Sequence, residues 1–178
     1  MSENNNENIR TTIENEINGS LMDDLSKKNA LDFIAYLRAN GMTTTDANYP
    51  GVFRYLGEAV CVLAIHPIEE GELPVYNIYW GDYDSTIFSS DYDDFPMDEQ
   101  LKEFAWKHIH LCVNFTSNGK YCGCGSQPGK SMKILGKEFD NLCTSIIWFG
   151  NPDAATLETI YKLAEVWKLC IVENAKKS

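Results

Sequence analysis

Basic residues are scarce in this chain, and the shortage removes whole classes of partner. Fifteen Lys and Arg stand against 26 Asp and Glu in 178 residues, for a formal net charge of −11 and a pI near 4.6. Phosphate backbones and anionic lipid headgroups are held by Lys and Arg, so no nucleic acid and no membrane surface is expected as a partner. Histidine is scarce too, at three residues. There is no H-E-x-x-H helix and no G-x-S-x-G elbow, and no catalytic residue is assigned. His66 stands before Pro67 at a strand end, and His108 and His110 straddle a helix end, where a positive tip complements the macrodipole; all three read as structural. No window approaches the roughly 20 apolar residues that span a bilayer, and the opening MSENNNENIR has no apolar signal core. A cytoplasmic location is the expectation. In that reducing setting the six cysteines argue for metal binding, redox chemistry or plain burial rather than for disulfides.

What is present is the composition of a folded domain: 44% hydrophobic and 12% aromatic residues, in a chain long enough for one core. Residues 1–20 read as a disordered or loosely helical arm turning on Ile13 and Ile17, and residues 21–178 as one domain. Apolar spacing predicts a helix over about 25–39 that stops at Asn40-Gly41. Strands follow at 52–56, 58–66, 75–80 and 85–89. The stretch 58–66 is apolar on both faces, as a central strand would be. Asp98 reads as the N-cap of a helix to about His108. Strands at 111–115, 132–135 and 143–149 come next. A final helix begins with Asn151 as N-cap and Pro152 at the first helical position, and is amphipathic through Leu157, Ile160, Tyr161, Ala164, Trp167 and Ile171. The expected fold is α+β, a mostly antiparallel sheet with about three helices in a single layer on one face.

Charge is unevenly spread. Residues 1–103 hold 6 basic and 20 acidic residues, whereas 104–178 hold 9 and 6. Two candidate sites follow that division. In the second half Cys112, Cys122, Cys124 and Cys143 are spaced C-x9-C-x-C-x18-C, and four thiolates are a ligand set for a structural zinc. Lys120, Lys130, Lys133 and Lys137 lie around them, and neighbouring cations lower a thiol pKa, so a reactive thiol at Cys122 or Cys124 is the alternative. Ordinary thiols on a glycine-rich loop are the third reading. Cys61 and Cys170, within apolar segments, read as small core hydrophobes. Gly129-Lys130-Ser131 imitates the end of a phosphate-binding loop, but the required first glycine is Cys124. In the first half, acids from Asp82 to Glu103 are interleaved with aromatics. Asp82 and Asp84 begin like a calcium loop, but Ile87 occupies the glycine place and Asp93 the twelfth. One reading is a solvated acidic edge. The other is a pocket of Trp80, Tyr83, Glu103 and Trp106 for an organic cation.

Three runs, Cys-Gly-Cys-Gly-Ser-Gln-Pro-Gly-Lys (122–130), Leu-Gly-Lys-Glu-Phe-Asp-Asn-Leu-Cys (135–143) and Asn-Pro-Asp-Ala-Ala-Thr-Leu-Glu (151–158), resemble an uncharacterised bacterial family of domains of unknown function. The likeness is close over about residues 122–168 and implies a small α+β fold with no established activity. Relatives carry a C-x-x-C before the Cys-Gly stretch, where Cys112 here is followed three residues later by Phe115. The order of elements is also loosely similar to gyrase-inhibitor-like effector-binding domains, which implies an aromatic, acidic pocket for hydrophobic cations. The residues taken together point to a non-enzymatic domain that binds a small-molecule ligand or a partner, with zinc as the one cofactor considered. A thiol-dependent enzyme and an organic-cation effector domain are the alternatives.

Overall fold

The computed structural model describes residues 12–44, 51–66, 73–80, 97–112 and 130–177 of the chain, with the side chains of 130, 143–145 and 177 outside it. Four helices and seven strands are formed by these residues. In chain order they are α1 (Ile13–Gly19), α2 (Asp24–Ala39), β1 (Thr43–Thr44), β2 (Val52–Tyr55), β3 (Glu58–His66) and β4 (Val75–Trp80). Then come α3 (Glu99–Lys107), β5 (Ile109–Leu111), β6 (Lys130–Ile134), β7 (Lys137–Gly150) and α4 (Ala154–Lys177). The strands make one sheet in the order β1-β2-β3-β4-β7-β5, with β6 also on β7, and every pairing is antiparallel.

β7 organises the sheet. Its residues 137–142 pair with β6 and 147–150 with β4, while β5 pairs with it at Ile147 and Leu142. Ile147 therefore has Trp80 on one side and Ile109 on the other, and Leu142 has Lys130 and Leu111. β4 and β6 share one edge of the strand, and β5 takes the opposite edge.

Alternation sorts the side chains. Cys61, Leu63, Ile78, Trp80, Ile147 and Phe149 face one way and are buried. Onto this face α2 brings Phe33, α4 brings Trp167 and α3 brings Phe104. Trp80 is the hub, with its ring 6.3 Å from Phe33, 5.9 Å from Trp167 and 6.1 Å from Phe149, and Phe104 stacks on Phe149 at 5.6 Å. Burying each such ring stabilises the fold by about 1.5–3 kcal/mol before entropy is counted. Tyr36 ties α2 to α4: it stacks on Tyr161 at 4.0 Å and donates to Glu165 Oε1 at 2.8 Å. Burial, reinforced by that carboxylate, pushes its phenol pKa up.

Local signals set most boundaries. Asp23 caps α2 by accepting from the Ser26 N–H at 2.9 Å, and Asp98 caps α3 by accepting from the Leu101 N–H at 2.8 Å. Three expectations are corrected. The helix count of three omits α1, whose Ile13 and Ile17 are buried in the core and whose Glu14 meets Arg38 of α2 at 2.5 Å. Two apolar residues one turn apart sufficed because α2 and the sheet cover them. β5 begins at Ile109, not at 111. The cap of α4 is Asp153, whose Oδ1 accepts from the Thr156 N–H at 2.8 Å. Asn151 lies two residues before that cap at φ +43°, held by its N–H to the Tyr76 carbonyl, while the Tyr76 hydroxyl donates to the Pro152 carbonyl. The strand expected at 85–89 lies outside the described residues. No helix among those described is long and apolar enough to cross a membrane.

Candidate functional site

The sequence-derived sites are placed unevenly. Cys122, Cys124 and Tyr83 lie outside the described residues, as does the side chain of Cys143. Cys112 is buried just after β5, with its N–H donating to the Asn141 carbonyl at 2.5 Å. The Leu111–Leu142 pairing beside it puts Cys112, one residue past β5, alongside β7, two residues from Cys143 in register. Among the described residues no group of three or more His, Cys, Asp or Glu is placed to hold a metal. Cys61 and Cys170 are core residues; burial pushes the Cys61 thiol pKa well up and that of Cys170 to about 12. Neither is a thiolate near neutral pH.

The expected aromatic pocket is divided. Trp80 is fully buried, and its indole Nε1 has no hydrogen-bond partner among the described residues. Glu103 and Trp106 do come together, at a shallow cleft of about 180 Å³ that also holds Lys107 and Lys137. The ring face of Trp106 is already taken: Lys137 Nζ lies 5.2 Å from its centroid, and its Nε1 donates to the Ile134 carbonyl at 2.9 Å. An organic cation would have to displace that lysine.

A different cavity has more to offer. At the junction of β7 and α4, a space of about 270 Å³ is lined by His108, Phe149, Gly150, Asn151, Asp153 and Thr156, with Pro152 beside them. Each wall has a local cause. His108 caps the C-terminus of α3, and its ring lies 4.6 Å from Phe104 and 4.6 Å from Phe149. Its Nδ1 is 2.8 Å from the Phe104 carbonyl. A carbonyl can only accept, so Nδ1 carries a proton and Nε2 is the nitrogen that can serve a ligand. Opposite stands the first turn of α4, whose early N–H groups are unsatisfied within the helix. Asp153 answers part of that demand, and hydrogen bonds from the backbone N–H and side chain of Thr156 hold its carboxyl below the usual carboxylate range. The left-handed turn at Asn151 admits the chain to this corner.

The cavity thus joins an imidazole of fixed tautomer, a carboxylate kept ionised, a hydroxyl and an amide over an aromatic floor. It can hold a small molecule by hydrogen bonds. Residues 151–158 were legible as a helix start, but nothing in the spacing of His108 and Thr156 announces that they share a cavity. No family model, no curated protein and no solved structure matches the chain.

Proposed function

We propose that the chain is a binding domain that seats a small, donor-rich polar molecule, a polyol or an amine, in the cavity at the start of α4 and does not transform it. The observation that carries this reading is His108: Nδ1 is committed to the Phe104 carbonyl, which leaves Nε2 as the ring nitrogen free to bond a ligand in the cavity that His108 lines. Asp153 adds an anionic acceptor and Thr156 and Asn151 add adaptable groups, so ligand hydroxyls or amines are matched and carboxylates are repelled. The volume suits a compact molecule rather than a cofactor. Thermal unfolding of the intact chain with a panel of polyols, amines and carboxylates tests it. A polyol or amine should raise the melting temperature, and His108→Phe, which keeps the ring between Phe104 and Phe149 but loses the bond to the Phe104 carbonyl, should abolish the rise at a small cost to the ligand-free melting temperature. An equal rise in His108→Phe, or stabilisation by carboxylates alone, would sink the reading.

A second reading has its own support. Cys112, just past β5, lies two residues from Cys143 of β7 in register, and a structural zinc would draw two of its four thiolates from them, with Cys122 and Cys124 as the others. Elemental analysis with a thiol count in native and denatured chain decides it. Near one zinc per chain, with thiols released by chelator, supports a staple. No metal and one or two fast-reacting thiols would replace it with thiol chemistry at Cys122 or Cys124.

A further inference from the structure

Cations are scarce in this chain, and most of those the structure describes are already engaged. Lys28, Arg38, Lys102, Lys168 and Lys176 lie in ion pairs, Lys27 and Arg54 donate to backbone carbonyls, and Lys137 sits over the Trp106 ring. Lys133 is engaged as well. Among the described residues two basic side chains are left with no ion pair or hydrogen bond, Lys107 and Lys162, and both line one cleft.

That cleft, of about 360 Å³, runs between α3 and α4. α3 contributes Gln100, Glu103, Phe104 and Lys107, and α4 contributes Thr159 and Lys162. The two helices run antiparallel here: Asp98, the cap of α3, shares the cleft with Lys162, whereas His108, at the other end of α3, shares its cavity with Asp153 and Thr156 at the start of α4. The cleft and the His108 cavity are therefore successive stretches of one groove. Phe104 joins them on the α3 side, lining the cleft while its ring lies 4.6 Å from that of His108. Thr156 and Thr159 join them on the α4 side, three residues apart and so on one face.

Charge decides what the cleft accepts. Asp98 is committed to the Leu101 N–H at 2.8 Å. Glu103 is then the one carboxylate of the cleft outside the helix's own bonding, against two ammonium groups. There is room for one negative charge, and a second would meet Glu103 and a chain of net −11. The same two lysines disfavour an amine, so of the donor-rich molecules that the cavity suits, the polyol fits the whole groove.

We propose, resting on the polar-ligand reading of the His108 cavity, that its occupant is a polyhydroxy monocarboxylic acid. Its hydroxyls lie in the cavity against His108, Asp153 and Thr156, and its carboxylate lies further along the groove between Lys107 and Lys162. Asp153 repels the carboxylate from the cavity end, so the molecule enters one way round. From Thr156 to Lys162 is about 9 Å along the helix, which a six-carbon chain and the reach of a lysine cover together.

The test uses titration calorimetry on the intact chain with three six-carbon probes: sorbitol, gluconate and hexanoate. Both lysines are exposed, so gluconate should bind about fivefold more tightly than sorbitol, the scale of exposed ion pairs, and hexanoate should not bind. High salt should erase the advantage of gluconate and leave sorbitol unchanged. Lys107→Gln combined with Lys162→Gln should do the same, while His108→Phe should weaken both polyols alike. The probe comparison and its salt dependence need no variant, so they decide the matter even if one fails to fold. Sorbitol binding as tightly as gluconate would overturn the proposal and leave the cavity reading standing. Binding by neither overturns it too, and the cavity reading then rests on the amines alone. Hexanoate binding as tightly as gluconate, or gluconate held equally well by His108→Phe, would make the cleft an anion site with no link to the cavity.

Discussion

Two hairpins in this molecule are built on the same pair of residues and end up in opposite surroundings. Leu56-Gly57 joins β2 to β3 between the paired Tyr55 and Glu58, and Leu135-Gly136 joins β6 to β7 between the paired Ile134 and Lys137. The backbones agree closely: φ is 50° and 90° in the first turn, 52° and 85° in the second. Both are the two-residue turn in which each central residue is left-handed, a conformation that suits the twist of the strands and favours Asn or Gly over leucine. Leu135 nevertheless packs into the core at 9% exposure, while Leu56 is 67% exposed. The shared dipeptide dictates the turn, and what lies opposite decides whether the leucine repays its own strain.

The difference can be broken from either side. Leu135→Asn removes a buried leucine while improving the turn; burial should dominate, and urea unfolding should show a loss of about 1.5–3 kcal/mol. Leu56→Asn improves the turn and removes nothing buried, so it should gain about 0.5 kcal/mol. Equal effects of the two substitutions would mean that Leu135 contributes nothing by burial.

The smallest expected effect sharpens the contrast by choosing two local devices that stay local. Asp23 and Asp153 both cap helices at exposed positions, and in each the folded carboxyl lies below its ordinary value. At Asp23 the main cause is the Ser26 hydroxyl and then the Ser26 N–H; at Asp153 it is the Thr156 N–H and then the Thr156 side chain. A lowered folded pKa stabilises the native state fully above the unfolded carboxyl's titration and is lost as pH falls through the lowered value. Asp23→Asn and Asp153→Asn should therefore each flatten the acid limb of a melting-temperature curve by a similar amount. A flattening in only one would show that the other cap is not local after all.

These pairs also explain what was legible in the sequence. Some local signals read correctly: Asp98 as a cap, Asn40-Gly41 as a stop, residues 58–66 as an inner strand apolar on both faces; the hairpin turn at Leu135-Gly136 did not, since β7 begins at Lys137 and not at 143. The start of α4 was misread because Asn151, Pro152 and Asp153 all suit a helix entry, and Tyr76, from a distant strand, decides among them. The His108 cavity was invisible because its walls are brought together by β7 crossing between β4 and β5. The cysteine loop and the acidic stretch were read from composition, which names residue types without saying which of them meet.

The shared edge of β7 has a consequence for how the chain is assembled. β2, β3 and β4 are successive antiparallel neighbours, and β6 and β7 close through a tight turn, so both can form early. The seam between β4 and β7 is different: Asn77 must find Gly150 across nearly half the chain. Closing so long a loop is slow and entropically costly. Folding should thus proceed as two local pieces that dock late. In native-state hydrogen exchange the amides bonded across that seam should open by a cheaper route than those inside the β3–β4 hairpin, and identical opening energies in both would mean a sheet that forms in one step.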